Sequence, residues 1–373
     1  MSVRKRKWIT SKGEEREAFI VDFVDQEGNR HIKTFDKQKD ANAYRDTIGV
    51  NIRAGVHSNS KMTVAEAADA WIKRVEADGA ERTTIRQYRQ HINLHIVPRI
   101  GRTKLSELTP ASVERLRDDL LKNLSRPMAR KVLTSFKSLL KTSKHLHVAG
   151  DVSIKRNPRE KRVLEVGRDI PTPGEVKRMI DAAKDNKRAH TLLLVVGLAG
   201  LRASELRGVR WKDVDLKVGE LHVRQRADRY NEVGHPKSKA GVRTIPLAPD
   251  VLSALKEWKL ACPKGEAGVV FPTSTGQIEH HKNMLRSLEP IVVAAGVVDK
   301  AGEPKYALHA FRHFFASWCI HRKADGGREL TPKVVQYLLG HSSIVMTLDL
   351  YGHLFPRGDD QTELAEAARA LLA

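Results

Sequence analysis

The stretch from His190 to Ala199 constrains the fold more than any other. After its start it is apolar on every face rather than along one stripe. A helix of that kind is stable only when other elements enclose it, so the run predicts a buried helix at the centre of a domain. The helix should end at Gly200. Gly200-Leu201-Arg202-Ala203-Ser204-Glu205-Leu206 follows, which puts an arginine at the turn into the next helix. At 373 residues the chain is long enough for two or three domains, and its 40% apolar content supplies ordinary cores.

Charge narrows the partner. Lys and Arg number 66 against 45 Asp and Glu, a net charge of +21, and a chain this basic faces polyanions, most often nucleic acid. Aromatic residues are only 5% of the chain, so base-stacking platforms for single strands are not advertised and duplex backbone binding is favoured. The two cysteines, Cys262 and Cys319, lie far apart with no paired-ligand spacing. Neither a disulfide framework nor a zinc ribbon follows, and a reducing, cytoplasmic setting is expected. Arg4-Lys5-Arg6-Lys7 has no apolar run behind it, so a secretory signal is not expected there, and no segment is apolar for long enough to cross a bilayer.

In chain order, Trp8 to Phe35 reads as strands, with a turn at Glu27-Gly28-Asn29, and Asp36 caps a short helix through Tyr44. Gly55 to Ser60 reads as a linker. Thr63-Val64-Ala65-Glu66 is a capping box ahead of a helix burying Val64, Ala67, Ala68, Trp71 and Ile72. Further helices are expected from Thr84, from Thr109-Pro110, and through Val132, Phe136, Leu139 and Leu140. Together they carry Arg86, Arg89, Arg115, Lys122, Arg130, Lys131 and Lys137, enough for a phosphate-tracking surface. A basic connector, Lys155 to Arg162, leads to a helix opened by Thr172-Pro173. Beyond the central helix, Leu221-His222-Val223 and Val242 to Leu247 read as hairpin strands, Asp250 to Leu260 as a helix, Val269 to Phe271 as a short strand, and His281 to Ala295 as a helix.

The last third carries the reactive side chains: His309-Ala310-Phe311-Arg312-His313, then Leu339-Gly340-His341, then Tyr351 ten residues on. A phosphodiester under attack gathers charge on its non-bridging oxygens. Arginine answers with a planar fork that stays protonated at any working pH, and two arginines can clamp both oxygens. Histidines add donors at neutral pH. A tyrosine hydroxyl, with a pKa of about 10, is a poor nucleophile until nearby cations favour its ionised form. Once it attacks, a covalent intermediate splits the reaction into two reversible halves. Glu205 is expected to orient an arginine, and His313 is read as a structural or supporting histidine. Ser343 to Leu350 should be a short helix that delivers Tyr351.

In these residues the chain resembles the tyrosine recombinases, the phage-integrase family, whose pattern runs Arg, Lys, His-x-x-Arg, His or Trp, Tyr. G-L-R-x-S-E-L, H-x-x-R-H, L-G-H-S and L-Y-G-H are all intact. The resemblance is strong over the C-terminal half and rests on domain layout over the N-terminal half. It implies a catalytic set of Arg202, Lys237, His309, Arg312, His341 and Tyr351, with Tyr351 joining the DNA 3′-phosphate and freeing a 5′-hydroxyl, and with no metal or cofactor. The lysine would protonate the leaving 5′-oxygen, which the more basic arginine does poorly. Pro236-Lys237-Ser238-Lys239 offers two lysines; the family's spacing to Arg-Thr-Ile-Pro-Leu favours Lys237, with Lys239 the alternative. His353 is a common family companion.

The implied architecture is multidomain: a small α+β arm-site DNA-binding domain over 1–57, an all-α core-binding domain over 61–150, a basic linker over 151–168, and a mainly α (α+β) catalytic domain over 169–373 ending in a tail helix. The implied function is a site-specific recombinase that integrates or excises a phage or other mobile element in a bacterial cytoplasm. Its partners would be the core and arm attachment sites of duplex DNA and a homotetramer assembled on them; a DNA-bending protein and an excisionase are compatible accessory factors. The tail from Gln361, with Leu364, Ala368, Leu371 and Leu372 on one stripe, is expected to dock on a neighbouring subunit. Three rivals are weaker. A metal hydrolase would use His309 and His313 but lacks the glutamate that Ala310 replaces. A non-catalytic regulator would not need the reactive set, and a type IB topoisomerase fits the N-terminal layout less well.

Overall fold

The computed structural model describes residues 2–9, 15–24, 30–53, 62–157, 163–356 and 361–373. The expected turn at Glu27–Asn29, the linker at Gly55–Ser60 and the end of the basic connector from Pro158 lie outside the described residues. The chain parts into two compact units, Met1–Lys161 and Arg162–Ala373.

The first unit opens with an antiparallel sheet in the order β1-β2-β3: β1 (Ser2–Ile9), β2 (Glu15–Val24) and β3 (Arg30–Phe35). Alternation along β2 turns Val21 and Phe23 to one face, where they meet Ala41 and Ile48 of α1 (Gln38–Arg53). Arg4, Lys5, Arg6 and Lys7 of edge strand β1 are exposed.

The helical part begins with α2 (Val64–Ala77), closed at its start by the Thr63–Glu66 capping box. Next, α3 (Arg82–His91) starts two residues ahead of Thr84 and runs through a π turn, Ile92–Ile96, into α4 (Val97–Ile100). The wide turn lies just ahead of Pro98, whose missing N–H already interrupts the helical ladder. Then come α5 (Pro110–Asn123), with a Thr109–Ser112 capping box, and α6 (Arg126–Thr142). Trp71, Ile96, Leu116, Leu120, Phe136 and Leu139 fill the core, each contributing about 1.5–3 kcal/mol by burial. His91 and Ser135 satisfy each other inside it through a 2.8 Å hydrogen bond. Arg86, Arg89, Arg115, Lys122 and Lys131 stand exposed, while Arg130 and Lys137 are half-buried.

The second unit is built around the apolar helix. α7 (Pro173–Ala182) starts with the Thr172–Glu175 capping box; α8 (Lys187–Ala199) follows, buried without interruption from Thr191 to Gly197. After α9 (Ala203–Gly208) comes a sheet in the order β4-β5-β8, formed by β4 (Val214–Asp215), β5 (Glu220–Val223) and β8 (Arg243–Pro246). β5 and β8 pair antiparallel with Leu221 opposite Ile245 and Val223 opposite Arg243. They are not a simple hairpin, because β6 (Arg226–Ala227) and β7 (Val233–Gly234) form a second small ladder between them. α10 (Pro249–Ala261) and α11 (His281–Ala294) follow. The strand expected at Val269–Phe271 is a single bridge from Val269 to Arg210, since among the described residues no partner strand extends along it. The chain ends with α12 (Leu308–Ile320), α13 (Pro332–Leu339), α14 (Ile344–Tyr351) and α15 (Gln361–Leu372), whose Leu364, Leu371 and Leu372 are exposed. α8 packs against α7, α10 and α12. Among the described residues no helix is long and apolar enough to cross a membrane.

Candidate active site

Gly200 ends α8 in a left-handed conformation at φ +59, and a Cβ there would sit 2.2 Å from the Phe315 ring. The absent side chain lets α12 lie against the end of α8. Arg312, one turn before Phe315, then reaches two carbonyls: Nη1 donates to Gly200 at 2.7 Å and Nη2 to Leu339 at 2.5 Å. Arg202 caps α9. Its main-chain N–H and Nη1 donate to the Glu205 carboxylate at 2.9 and 2.7 Å, and Nη2 donates to the Gly340 carbonyl at 2.8 Å.

A third arginine joins them. Arg243 of β8 donates from Nε to the Leu338 carbonyl at 2.7 Å, and from Nη1 and Nη2 to Glu205 at 3.2 and 2.9 Å. The successive carbonyls of Leu338, Leu339 and Gly340 therefore each take a different arginine. They belong to the C-terminal end of α13, where carbonyls lack helical partners and the macrodipole is negative. Three guanidiniums against one carboxylate leave two positive charges, offset by about half a charge from the helix end. The Arg243 side chain is 0% exposed and Glu205 3%, while Arg202 keeps 33%. Burial would raise the pKa of Glu205, but the charge and hydrogen bonds of Arg243, then those of Arg202, hold it below the usual range. Burial, then the like charge of Arg202, pushes Arg312 down to about 9, so it stays charged at neutral pH.

Tyr351 is the last residue of α14 and is 1% exposed. Its hydroxyl lies 2.7 Å from Nδ1 of His313, and its ring stacks parallel to His341 at 6.5 Å. Burial pushes the phenol up to about 12, against the pull of Arg312 and Arg202, so it is protonated at neutral pH. His341 is held by Thr347, whose hydroxyl lies 2.9 Å from Nδ1, and by Gln336, which donates to its carbonyl. Burial, then the Arg312, Arg202 and Arg243 charges, pushes His341 down to about 4. His309 stands at the solvent side of the cluster with its ring edge-on to His313 at 4.7 Å. Lost hydration, then Arg312 and Arg202, lowers its pKa too. His353 anchors the turn after Tyr351 by donating to the Leu164 carbonyl at 2.7 Å.

Of the residues expected to act, the structure thus gathers Arg202, His309, Arg312, His341 and Tyr351. Lys237 and Lys239 are both exposed on the segment between β7 and β8. That segment borders the cluster: the Gly241 carbonyl accepts from Arg243 at 3.0 Å, and the Ala240 carbonyl lies 2.9 Å from where a Gly340 Cβ would stand. Glu205, expected to orient one arginine, holds two. His313, read as a supporting histidine, instead touches the tyrosine hydroxyl. Arg243 was not singled out, although its position two residues before Ile245 puts a charge on the inward face of a strand. Among the described residues no three His, Cys, Asp or Glu side chains gather as metal ligands would.

A buried tyrosine beside clustered arginines, inside a mainly helical unit, is a site equipped for phosphoryl transfer through a tyrosyl ester. Comparison with known proteins agrees. The profile of the phage integrase family matches residues 171–357, and that of the phage integrase N-terminal SAM-like domain matches residues 63–121. The chain belongs to the phage integrase family. It is 26% identical over 357 residues to a "Tyrosine recombinase XerC-like" protein of Caldanaerobacter subterraneus, covering 86% of this chain and 87% of that one. It is 27% identical to the ICEBs1 integrase of Bacillus subtilis, over 75% of this chain and 76% of the relative. In fold it is similar to the Tn1549 transposon integrase solved in complex with a circular intermediate DNA (TM-score 0.60, 22% identity, 83% of this chain and 100% of that chain). It is also similar to the lambda integrase tetramer bound to a Holliday junction (TM-score 0.56, 17% identity, 95% of this chain and 96% of that chain).

Proposed function

We propose that this chain is a site-specific recombinase that cleaves and rejoins duplex DNA through a 3′-phosphotyrosine at Tyr351, integrating or excising a mobile element. The observation that carries the reading is the placement of the Tyr351 hydroxyl. It is buried, and it feels the charges of Arg202 and Arg312, which are themselves fixed by the end of α13.

Each guanidinium has five donors. Arg312 gives two nitrogens to carbonyls and Arg202 two to Glu205 and Gly340, so both keep donors for the non-bridging oxygens of a phosphate. Because the forks are held before the phosphate arrives, little reorganisation opposes the transition state. His341, neutral and held at Nδ1, has Nε2 left to donate. His309 lies at the open side, where the scissile phosphate would enter. Lys237 and Lys239 are the two candidates for protonating the leaving 5′-oxygen. A duplex with sulfur in place of that oxygen needs no proton there, so it should restore cleavage to a variant of the true acid and not to the other.

The exposed basic residues of β1 and the helices suit the arm and core phosphates of an attachment site, with domains at 1–57 and 61–150, a linker at 151–168 and a catalytic domain at 169–373. The exposed Leu364, Leu371 and Leu372 of α15 support a homotetramer on DNA in which each tail docks on a neighbour. Similarity to the ICEBs1 integrase, and to the Tn1549 transposon integrase solved in complex with a circular intermediate DNA, favours the same reading. The experiment is strand exchange between candidate attachment duplexes, with Tyr351→Phe as control. Recombinant products from the wild type and none from the variant are expected; equal products from both would overturn the reading.

A further inference from the structure

We propose that His313 is a further catalytic residue, the group that takes the phenolic proton of Tyr351 as its oxygen attacks phosphorus. The proposal rests on the reading of Tyr351 as nucleophile and adds the destination of its proton.

The phenol has to lose a proton as its oxygen bonds to phosphorus, and Tyr351 is almost wholly enclosed. The acceptor must therefore already lie within hydrogen-bond reach, in the geometry required of a general base. Of the ring nitrogens around the site, Nδ1 of His313 is the one placed so, 2.7 Å from the hydroxyl. His341 faces the same ring in a parallel stack at 6.5 Å, with its Nδ1 engaged by Thr347, and makes no hydrogen bond to the phenol in this arrangement. His309 packs edge-to-face with the His313 ring at 4.7 Å, and among the described residues the hydrogen bond to the tyrosine hydroxyl comes from His313, not from His309. α12 holds His313 on the side of the helix that faces α14, one residue past Arg312, so the base and a phosphate-binding guanidinium come from one rigid element.

The charges that face His313 set its state. Burial, then His309 and Arg312, pushes its pKa down to about 4, against the pull of the Asp169 carboxylate. It is therefore neutral at rest and free to accept. A phosphate anion bound by Arg312 would offset the part of that depression that comes from the Arg312 charge, so the histidine becomes more basic once substrate is in place.

The step balances. The Tyr351 O–H bond breaks and a His313 N–H bond forms; a phosphorus–oxygen bond forms to Tyr351 and the bond to the 5′-oxygen breaks; that oxygen takes its proton from the lysine. Religation returns both protons by the reverse path.

The test uses the full chain and a nicked suicide duplex carrying a mapped core site, with sulfur replacing the 5′-bridging oxygen so that leaving-group protonation is not required. Glutamine can keep a hydrogen bond to the tyrosine but cannot take its proton. His313→Gln should slow single-turnover adduct formation by roughly 10²–10⁴-fold with DNA binding unchanged, and should flatten the acid limb of the rate–pH profile. Cleavage by His313→Gln within about threefold of wild type would overturn the proposal, as would a defect seen only with the all-oxygen duplex, which would place His313 at the leaving group. A measurement on unaltered protein stands if the variant fails to fold. Nitrogen-15 NMR of labelled histidines should find a neutral imidazole whose Nδ1 accepts a hydrogen bond that Tyr351→Phe removes. A proton resident on Nδ1 at neutral pH would refute it. Failure of the wild type to form any adduct on this duplex would instead sink the nucleophile reading itself.

Discussion

Glu205→Gln isolates what holds the arginine cluster together. The Glu205 carboxylate accepts from Arg243 through both oxygens and from Arg202 through both the side chain and the main chain. Arg243 is fully buried, so it cannot turn to water when its counter-charge goes. Glutamine keeps the size but presents an NH₂ to one of two guanidinium forks, leaving a buried charge uncompensated. Breaking a buried pair from one side costs about 3–5 kcal/mol. For a unit of this size about 2–4 °C accompanies each kcal/mol, so the melting transition of residues 162–373 should fall by roughly 6–20 °C. The assay is thermal unfolding followed by circular dichroism or calorimetry. A cycle with Arg243→Met adds a sign. Removing both charges should cost less than the sum of the single changes, with a coupling of about 1–3 kcal/mol. A fall of less than 2 °C for Glu205→Gln, or strict additivity with Arg243→Met, would refute the claim that this carboxylate sets the cluster.

Other changes probe other links. Gly200→Ala combines a left-handed backbone with a Cβ driven into the Phe315 ring, and should cost about 2–6 kcal/mol in urea unfolding. Arg312→Ala should lower the rate of adduct formation by roughly 10²–10³-fold while leaving duplex affinity within a few-fold; equal losses in both would make it a backbone-binding residue only. Acid should destabilise the second unit. His341 and His313 have folded pKa values pushed down to about 4, so above pH 6.5 their neutral forms favour neither state. Between 6.5 and 4 the unfolded chain binds more protons and stability falls with pH, by up to about 3 kcal/mol for the well-buried His341. A flat stability curve over that window would contradict the histidine environments described here.

Much of this architecture is legible in the sequence. The unbroken apolar run of α8 demanded a surrounding domain, and the capping boxes at Thr63 and Thr172 fixed helix starts by local chemistry that needs no tertiary context. The order of Arg202, His309, Arg312, His341 and Tyr351 pointed to the chemistry proposed for the site. What the sequence withheld depends on contacts across long chain separations. The Arg243–Glu205 pair joins β8 to α9, and the His313–Tyr351 contact joins α12 to α14; neither separation has a local signature. The π turn before Pro98 reconciles a proline with continued burial of Ile92 and Ile96, a compromise visible only in three dimensions. Val269–Phe271 read as a strand because it is apolar and β-branched, yet a strand needs a neighbour, and among the described residues it finds one bridge, to Arg210.

The central claim is that the Tyr351 oxygen becomes an ester of DNA. Trapping the wild-type chain on a suicide duplex, digesting it and sequencing the modified peptide by mass spectrometry tests this directly. The account predicts a nucleotide attached to Tyr351 through a 3′-phosphate and a free 5′-hydroxyl on the departing strand. An adduct on any other residue, or a 5′-phosphate on the departing strand, would contradict it.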